Sequence, residues 1–138
     1  MTDFMRRIEY YYTLVPNHPG EGASVFDALK AGKVNLIAFN GFQTSARRAQ
    51  IDFVPSDRDA FLTAAQKAGI KLVGPKVAFF IQGEDRVGAV ADILGKLEQA
   101  HINVVAMQAI ASGTGRYGAI LWVKPRNISR AAQVLGAS

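Results

Sequence analysis

A chain of 138 residues can bury one ordinary core or two very small ones. Its 49% hydrophobic and 20% charged residues are globular proportions, and no apolar run approaches the roughly eighteen residues that span a bilayer, which argues against a membrane protein. Cysteine is absent, which rules out disulfides and thiolate chemistry, and a net charge of +5 with no basic run longer than Arg6-Arg7 or Arg47-Arg48 reads as a solvated surface rather than a polyanion-binding face.

In chain order, Ile8 to Val15, rich in tyrosine, is expected to be a strand. The loop VPNHPGEG (15 to 22) follows, and Pro19 suits the first turn of a helix running to Ala31. Val34 to Phe42 reads as a second strand, Gln43 to Arg48 as a hairpin turn and Ala49 to Val54 as a third strand. Ser56 opens a second helix, with Asp59 near capping-box spacing, and Gly69 ends it. Ile70 to Val73 is a short fourth strand, and Gly74-Pro75 is the turn that divides the chain into units 1–75 and 76–138. From there Lys76 to Gln82, Val87 to Ala100, Ile102 to Ala111, Arg116 to Val123 and Asn127 to Leu135 give strand, helix, strand, strand, helix. The second unit lacks an obvious last strand, so it either does without one or takes one from another segment.

The two halves repeat. Displacing the chain by 68 positions lays Gly20 on Gly88, Asn17 on Asp85 and Val34-Asn35-Leu36 on Ile102-Asn103-Val104. Gly22, Val25, Phe26 and Leu29 fall on Val90, Ile93, Leu94 and Leu97, each set at the spacing of a helix buried on one side. Strand-helix-strand-strand-helix-strand is the split βαβ order of α+β ferredoxin-like sheets, and two such units are expected side by side, joined through their second strands. Strands such as Val77 to Ile81 and Ala119 to Val123 are apolar at nearly every position. That predicts burial of both sheet faces, most simply by a second copy of the chain in a homodimer or larger assembly.

A strand, then Asn17-His18-Pro19-Gly20, a helix, and Val34-Asn35-Leu36 opening the next strand resembles the ACT domain. Asp85-Arg86-Val87-Gly88 followed by Ile102-Asn103-Val104 repeats the pattern, so that residues 8 to 138 resemble a stand-alone tandem ACT protein. The resemblance implies a non-enzymatic, allosteric regulatory protein that binds an amino acid, uses no cofactor and passes its occupancy to a regulated protein. It also implies a ligand held between the loop of one unit and the second-strand asparagine of the other, Asn17 with Asn103 and Asp85 with Asn35. His18, Pro19, Gly20, Arg86 and Gly88 complete those loops. The residues themselves suit this: glycine in a first turn admits a ligand to the backbone, helix N-terminal N–H groups favour a carboxylate, and Asn and Asp oxygens accept from an ammonium. Read without the resemblance, the same residues also serve as plain turn and cap residues. Val87 stands where the pattern has proline, so the loop stiffened by Pro16 and Pro19 is expected to be the better site.

Other motifs point elsewhere. Gly113-Thr114-Gly115-Arg116-Tyr117-Gly118 spells G-x-G-x-x-G, but a strand follows where dinucleotide binding needs a helix, so it reads as a hairpin turn. Arg116 to Val123, with Tyr117 and Trp122, echoes an RNA-recognition strand, and RNA binding is the alternative reading. Against it, Arg116 occupies the place of a glycine, and Ile51-Asp52 fill the corresponding positions of the first half. Glu84 and Asp85 flank a loop without a nucleophile at readable spacing, so no catalytic residue is assigned, and His18 and His101 are too few for a metal site. The opening MTDFMRR has no apolar signal core, so a cytoplasmic protein is expected.

Overall fold

A computed structural model describes residues 3–138. They form two compact units, one of Glu9–Lys76 and one of Val77–Ser138 together with the residues up to Ile8. Each is built from the same order of elements; the fourth strand expected at Ile70 to Val73 begins only at Val73, and the second unit takes its last strand from the start of the chain.

In the unit Glu9–Lys76, β1 (Phe4–Pro16) contributes its C-terminal part. It runs antiparallel to β3 (Arg48–Pro55), with Tyr11 opposite Phe53, and β2 (Leu36–Gln43) lies on the other side of β3 with Phe39 opposite Phe53. Alternation along these strands sends Tyr11, Ile51 and Phe53 toward α1 (Glu21–Ala31) and α2 (Arg58–Ala68), where they close a core with Leu29 and Phe61. Ring centroids of Phe53 and Phe61 are 5.4 Å apart, and Tyr11 lies 5.5 Å from Phe61. The expected Pro19 start of the first helix is displaced to Glu21, because Gly20 takes φ 90 and cannot continue a right-handed turn. Ser56 does not cap α2. Asp57 does, its carboxylate accepting from the Ala60 N–H at 3.2 Å, while Ser56 Oγ donates to the Asn35 carbonyl at 3.0 Å.

The joint at Gly74-Pro75 is likewise no turn. It lies inside β4 (Val73–Glu84), whose first residues border β1 in this unit. A Cβ at Gly74 would stand 2.9 Å from the Tyr10 carbonyl oxygen, so this close approach, at φ 140, requires glycine.

In the other unit, the rest of β4 pairs with β6 (Arg116–Val123), Phe79 opposite Leu121, and β5 (Val104–Ala111) pairs with β6 on its far side, Met107 opposite Leu121. α3 (Ala89–Gln99) and α4 (Ile128–Leu135) cover one face, burying Ile93, Leu97, Ala131 and Leu135 against Phe79, Ile81 and Leu121. The strand missing after α4 is supplied by Phe4–Ile8, the N-terminal part of β1, lying beside β4. Met5 enters the core of this unit, the Arg7 N–H donates to the Ser138 carbonyl at 3.1 Å, and the Arg6 guanidinium sits 5.5 Å from the Phe80 ring centroid. Residues up to Ile8 therefore belong with Val77–Ser138 and not with the first unit, where sequence division placed them. The strand order β1-β4-β6-β5 here, and β4-β1-β3-β2 in Glu9–Lys76, is ferredoxin-like in both.

Two further expectations change. β2 and β5 are edges, each paired on one side only among the described residues, so the second strands do not join to each other. Ile120 and Trp122, whose apolar character suggested cover by a second chain, are buried within the single chain.

Asp52, 5% exposed, is a buried acid in the middle of β3. Burial pushes its carboxyl above the ordinary value of 3.8, against hydrogen bonds from Gln50 and Asn40 and the charge of Lys76. A raised folded-state value means the native state holds this proton more tightly than the unfolded chain. The resulting stability is fully present below the unfolded value and is lost as pH rises through the folded one. Asp52→Asn is therefore expected to melt higher than wild type at pH 7, with the gap closing on acidification toward pH 4; thermal unfolding across that range measures it.

Candidate functional site

Both glycine loops are anchored by the same backbone bonds. The Asn17 N–H donates to the Arg47 carbonyl at 2.8 Å, and the Asp85 N–H to the Gly115 carbonyl at 3.0 Å, so each loop is fastened to the hairpin between the second and third strands of its unit. Glu21 N–H reaches the His18 carbonyl and Ala89 N–H the Arg86 carbonyl, both at 3.3 Å. Ser24 N–H donates to the Gly20 carbonyl at 2.9 Å, and Asp92 N–H to that of Gly88 at 3.0 Å. Gly20 and Gly88 both take left-handed backbone, φ 90 and φ 84, and neither N-cap makes a side-chain bond to its helix. The first-turn N–H groups of α1 and α3 are consequently left without side-chain caps.

The loops differ in what surrounds them. Beside Asn17–Gly20 lies a cavity of about 360 Å³ between the loop, α1 and strands β2 and β3. Asn17, His18 and Glu21 are among its polar walls, and Phe26, Phe39 and Phe42 among its apolar ones. Asn17 Nδ2 is committed to the Ala46 carbonyl at 3.2 Å, which fixes the amide and leaves its oxygen as the acceptor. A Cβ at Gly20 would meet nothing within 4 Å, so its approach to solvent is open. In the other loop, Arg86 folds onto the first turns of α3, its Nη2 2.6 Å from Asp92 Oδ2 and its Nη1 donating to the Val87 carbonyl at 3.3 Å. Asp92 holds the guanidinium above its ordinary value, and Val87 is fully exposed.

Of the residues expected to bind ligand, Asn17, His18, Pro19 and Gly20 are gathered in one loop, and Asp85, Arg86 and Gly88 in the other. Asn35 and Asn103 stand before β2 and β5, at the ends of those strands away from the hairpins that carry the loops. Glu21 and the three phenylalanines escaped the sequence reading. Their signal was faint: a single acid one residue after the glycine, and aromatics that fit a helix and a strand equally well as core.

The rival motifs resolve into structure. Gly113 and Gly115, at φ 87 and φ 81, turn the β5–β6 hairpin. Tyr117 and Trp122 are both buried and project to opposite faces of β6, which leaves no stacking platform for RNA bases. Among the described residues no three acid, His or Cys side chains group around a metal position, and no helix is long and apolar enough to cross a membrane.

No family model and no curated protein matches the chain. Solved structures do. Protein BT0572 from Bacteroides thetaiotaomicron superposes with a TM-score of 0.82 at 18% identity, over 97% of this chain and 88% of that one. The regulatory subunit of aspartate kinase from Thermus thermophilus, in its ligand-free form, gives 0.65 at 16% identity, over 99% and 95%. The corresponding subunit from Thermus flavus gives 0.59 at 15%, over 98% and 94%. The fold, two ferredoxin-like units in one chain, is that of these solved structures. Each unit carries its glycine loop at the entry to its first helix, and near-complete coverage of both chains in these pairs means that both units, not one alone, are matched.

Proposed function

We propose that the chain is a non-enzymatic ACT-type regulatory protein that binds a small amino acid at its glycine loops, chiefly at Asn17–Gly20. The observation that supports this is the repetition of three backbone hydrogen bonds around two left-handed glycines, with a cavity beside Asn17 and His18 whose walls include Glu21 and the rings of Phe26, Phe39 and Phe42. A ligand carboxylate meets the N–H groups at the start of α1. Its ammonium meets Glu21 and the Asn17 oxygen, and an apolar side chain lies on Phe26, Phe39 and Phe42. Asp85, Arg86 and Gly88 form the second, weaker loop, since Asp92 already engages the guanidinium. The reading extends to Asn35 and Asn103 as ligand residues, and to a regulated partner protein that responds to occupancy.

Assembly as a homodimer belongs to the same reading. β2 and β5 contain no charged residue and expose Phe39, Phe42, Val105 and Ile110, and an edge without charge is a template for strand pairing. A 14.9 kDa monomer by sedimentation at micromolar concentration would contradict it.

Thermal-shift screening of the twenty amino acids is the test. A ligand present at a hundred times its dissociation constant adds roughly 2.7 kcal/mol of stability. Asn17→Ala removes a hydrogen bond to a charged group, worth about 1.5–3 kcal/mol or about ten- to a hundredfold in Kd by calorimetry. Gly20→Val, strained at φ 90, is expected to weaken binding as well. Folded variants that bind as tightly as wild type would reduce the loop to a turn. If Asn103→Ala alone has no effect, the extension to the second-strand asparagines fails while the loop assignment stands.

A further inference from the structure

We propose that the unit containing Val77–Ser138 carries a second ligand site, at the opposite end of α3 from its glycine loop, that binds a small oxyanion, phosphate or carboxylate. A cavity of about 550 Å³ opens there between the last turn of α3, the start of β5 and the turn after β6. Leu97 and Ile102 give it a buried apolar base, and Lys124, Arg126 and His101 supply the cationic or proton-donating groups. Glu98 is the one acid among its walls, and neither Lys124 nor Arg126 forms an ion pair among the described residues. Two cations mounted two positions apart repel one another, and an anion between them converts that repulsion into two charge-assisted bonds. The guanidinium provides a planar fork and the ammonium a point charge, the pairing suited to phosphate and carboxylate oxygens.

The mounting is rigid. Pro125 begins the 3-10 turn Pro125–Asn127, and the Asn127 N–H donates to the Lys124 carbonyl at 2.8 Å, so the backbone carrying both cations is held without their side chains. Asn127, the N-cap of α4, makes no side-chain cap bond and keeps its amide for the cavity. His101 stands at φ 58 and Lys33, its counterpart in the repeat, at φ 57, so this left-handed backbone belongs to the helix exit of both units, and here it carries an imidazole that lines the cavity. The corresponding turn of the other unit is shorter, only Ser56 and Asp57 separating β3 from α2, and it has no counterpart of the 3-10 turn that holds Arg126 beside Lys124.

The test titrates the full chain with inorganic phosphate and, separately, with malonate, at constant ionic strength, following the His101 imidazole and the Asn127 side-chain amide by NMR. Saturable shifts with a single dissociation constant in the millimolar range or below are expected, the tighter anion identifying the ligand chemistry. Arg126→Gln and Lys124→Gln are each expected to weaken binding about tenfold or more. Lys67→Gln on α2 removes the same charge far along the chain and should leave binding unchanged. His101→Gly should weaken binding without lowering Tm, because glycine suits φ 58; a purely structural histidine would lower Tm instead. Shifts that fail to saturate with either anion, or equal weakening by Lys67→Gln, would overturn the site. Amino-acid binding at the glycine loops would move the Gly20 and Gly88 amides, so the two sites are read independently.

Discussion

Deletion of residues 1–7 is expected to unfold the unit of Val77–Ser138, although every helix of that unit and three of its four strands remain in the chain. Phe4–Ile8 is the strand that completes its sheet beside β4. Without it, the Met5 side chain is lost from the core, a burial worth about 1.5–3 kcal/mol. The backbone groups of β4 facing the vacated edge also lose their partners, at about 1–3 kcal/mol for each one left buried and unsatisfied. A domain has about 5–15 kcal/mol in all, and so small a unit stands at the lower end. The loss is therefore comparable to the whole. Amide resonances of Val77–Ser138 should collapse to unfolded positions in the truncated chain. Met5→Ala, which keeps the backbone ladder and removes only the side chain, should cost about 2–5 kcal/mol and leave a folded protein with a lower Tm. Retention of dispersed resonances and of the wild-type Tm by the truncated chain would show that the strand is not needed.

Phe53→Ala is the corresponding blow to the other unit, with an expected cost of about 3–5 kcal/mol. Phe53 is fully buried at the centre of β3, with Tyr11 and Phe39 opposite it on the flanking strands and the rings of Phe61 and Phe26 at 5.4 and 5.9 Å. Removing the ring leaves a cavity walled by other rings that cannot all move inward. Phe39→Ala offers the contrast: it stands on an edge strand, 58% exposed, and its main contact is one edge-on ring, Phe26, at 4.9 Å. That contact is worth about 0.5–1.5 kcal/mol. Urea midpoints of the two variants should therefore separate clearly, and equal midpoints would mean that Phe53 is not central to the core.

The places where the sequence pattern misled have a common cause. Phe4 to Ile8 holds two arginines and breaks alternation, with Met5 and Ile8 both buried, so the strand cannot be seen by period. It exists because the β4 edge lies beside it and Phe80 accepts Arg6 from above. Gly74-Pro75 has the composition of a turn but continues a strand, because the neighbouring Tyr10 backbone comes so close that a side chain would not fit. Trp122 and Ile120 looked as if they needed a second chain, whereas burial of a strand's second face is a property of the surroundings and not of the strand.

By itself, the sequence determined whatever is local or repeated at a fixed offset. The four helices are legible from apolar stripes, the hairpins from their turn residues, and the two glycine loops from Gly20 and Gly88 standing 68 positions apart in otherwise equivalent settings. Their left-handed backbone is not: the apolar stripes carry both helices back to Pro19 and Val87, whereas they begin at Glu21 and Ala89, after the glycines. Only the tertiary structure decided which strand completes each sheet, that β2 and β5 are edges, and that Glu21 and three phenylalanine rings share a cavity with Asn17. It also decided that Lys124, Arg126 and His101, more than twenty positions apart at their extremes, face one space. Such choices rest on contacts between residues far apart in the chain. Their energies depend on the partner's position as much as on the residue, and no local pattern carries that information.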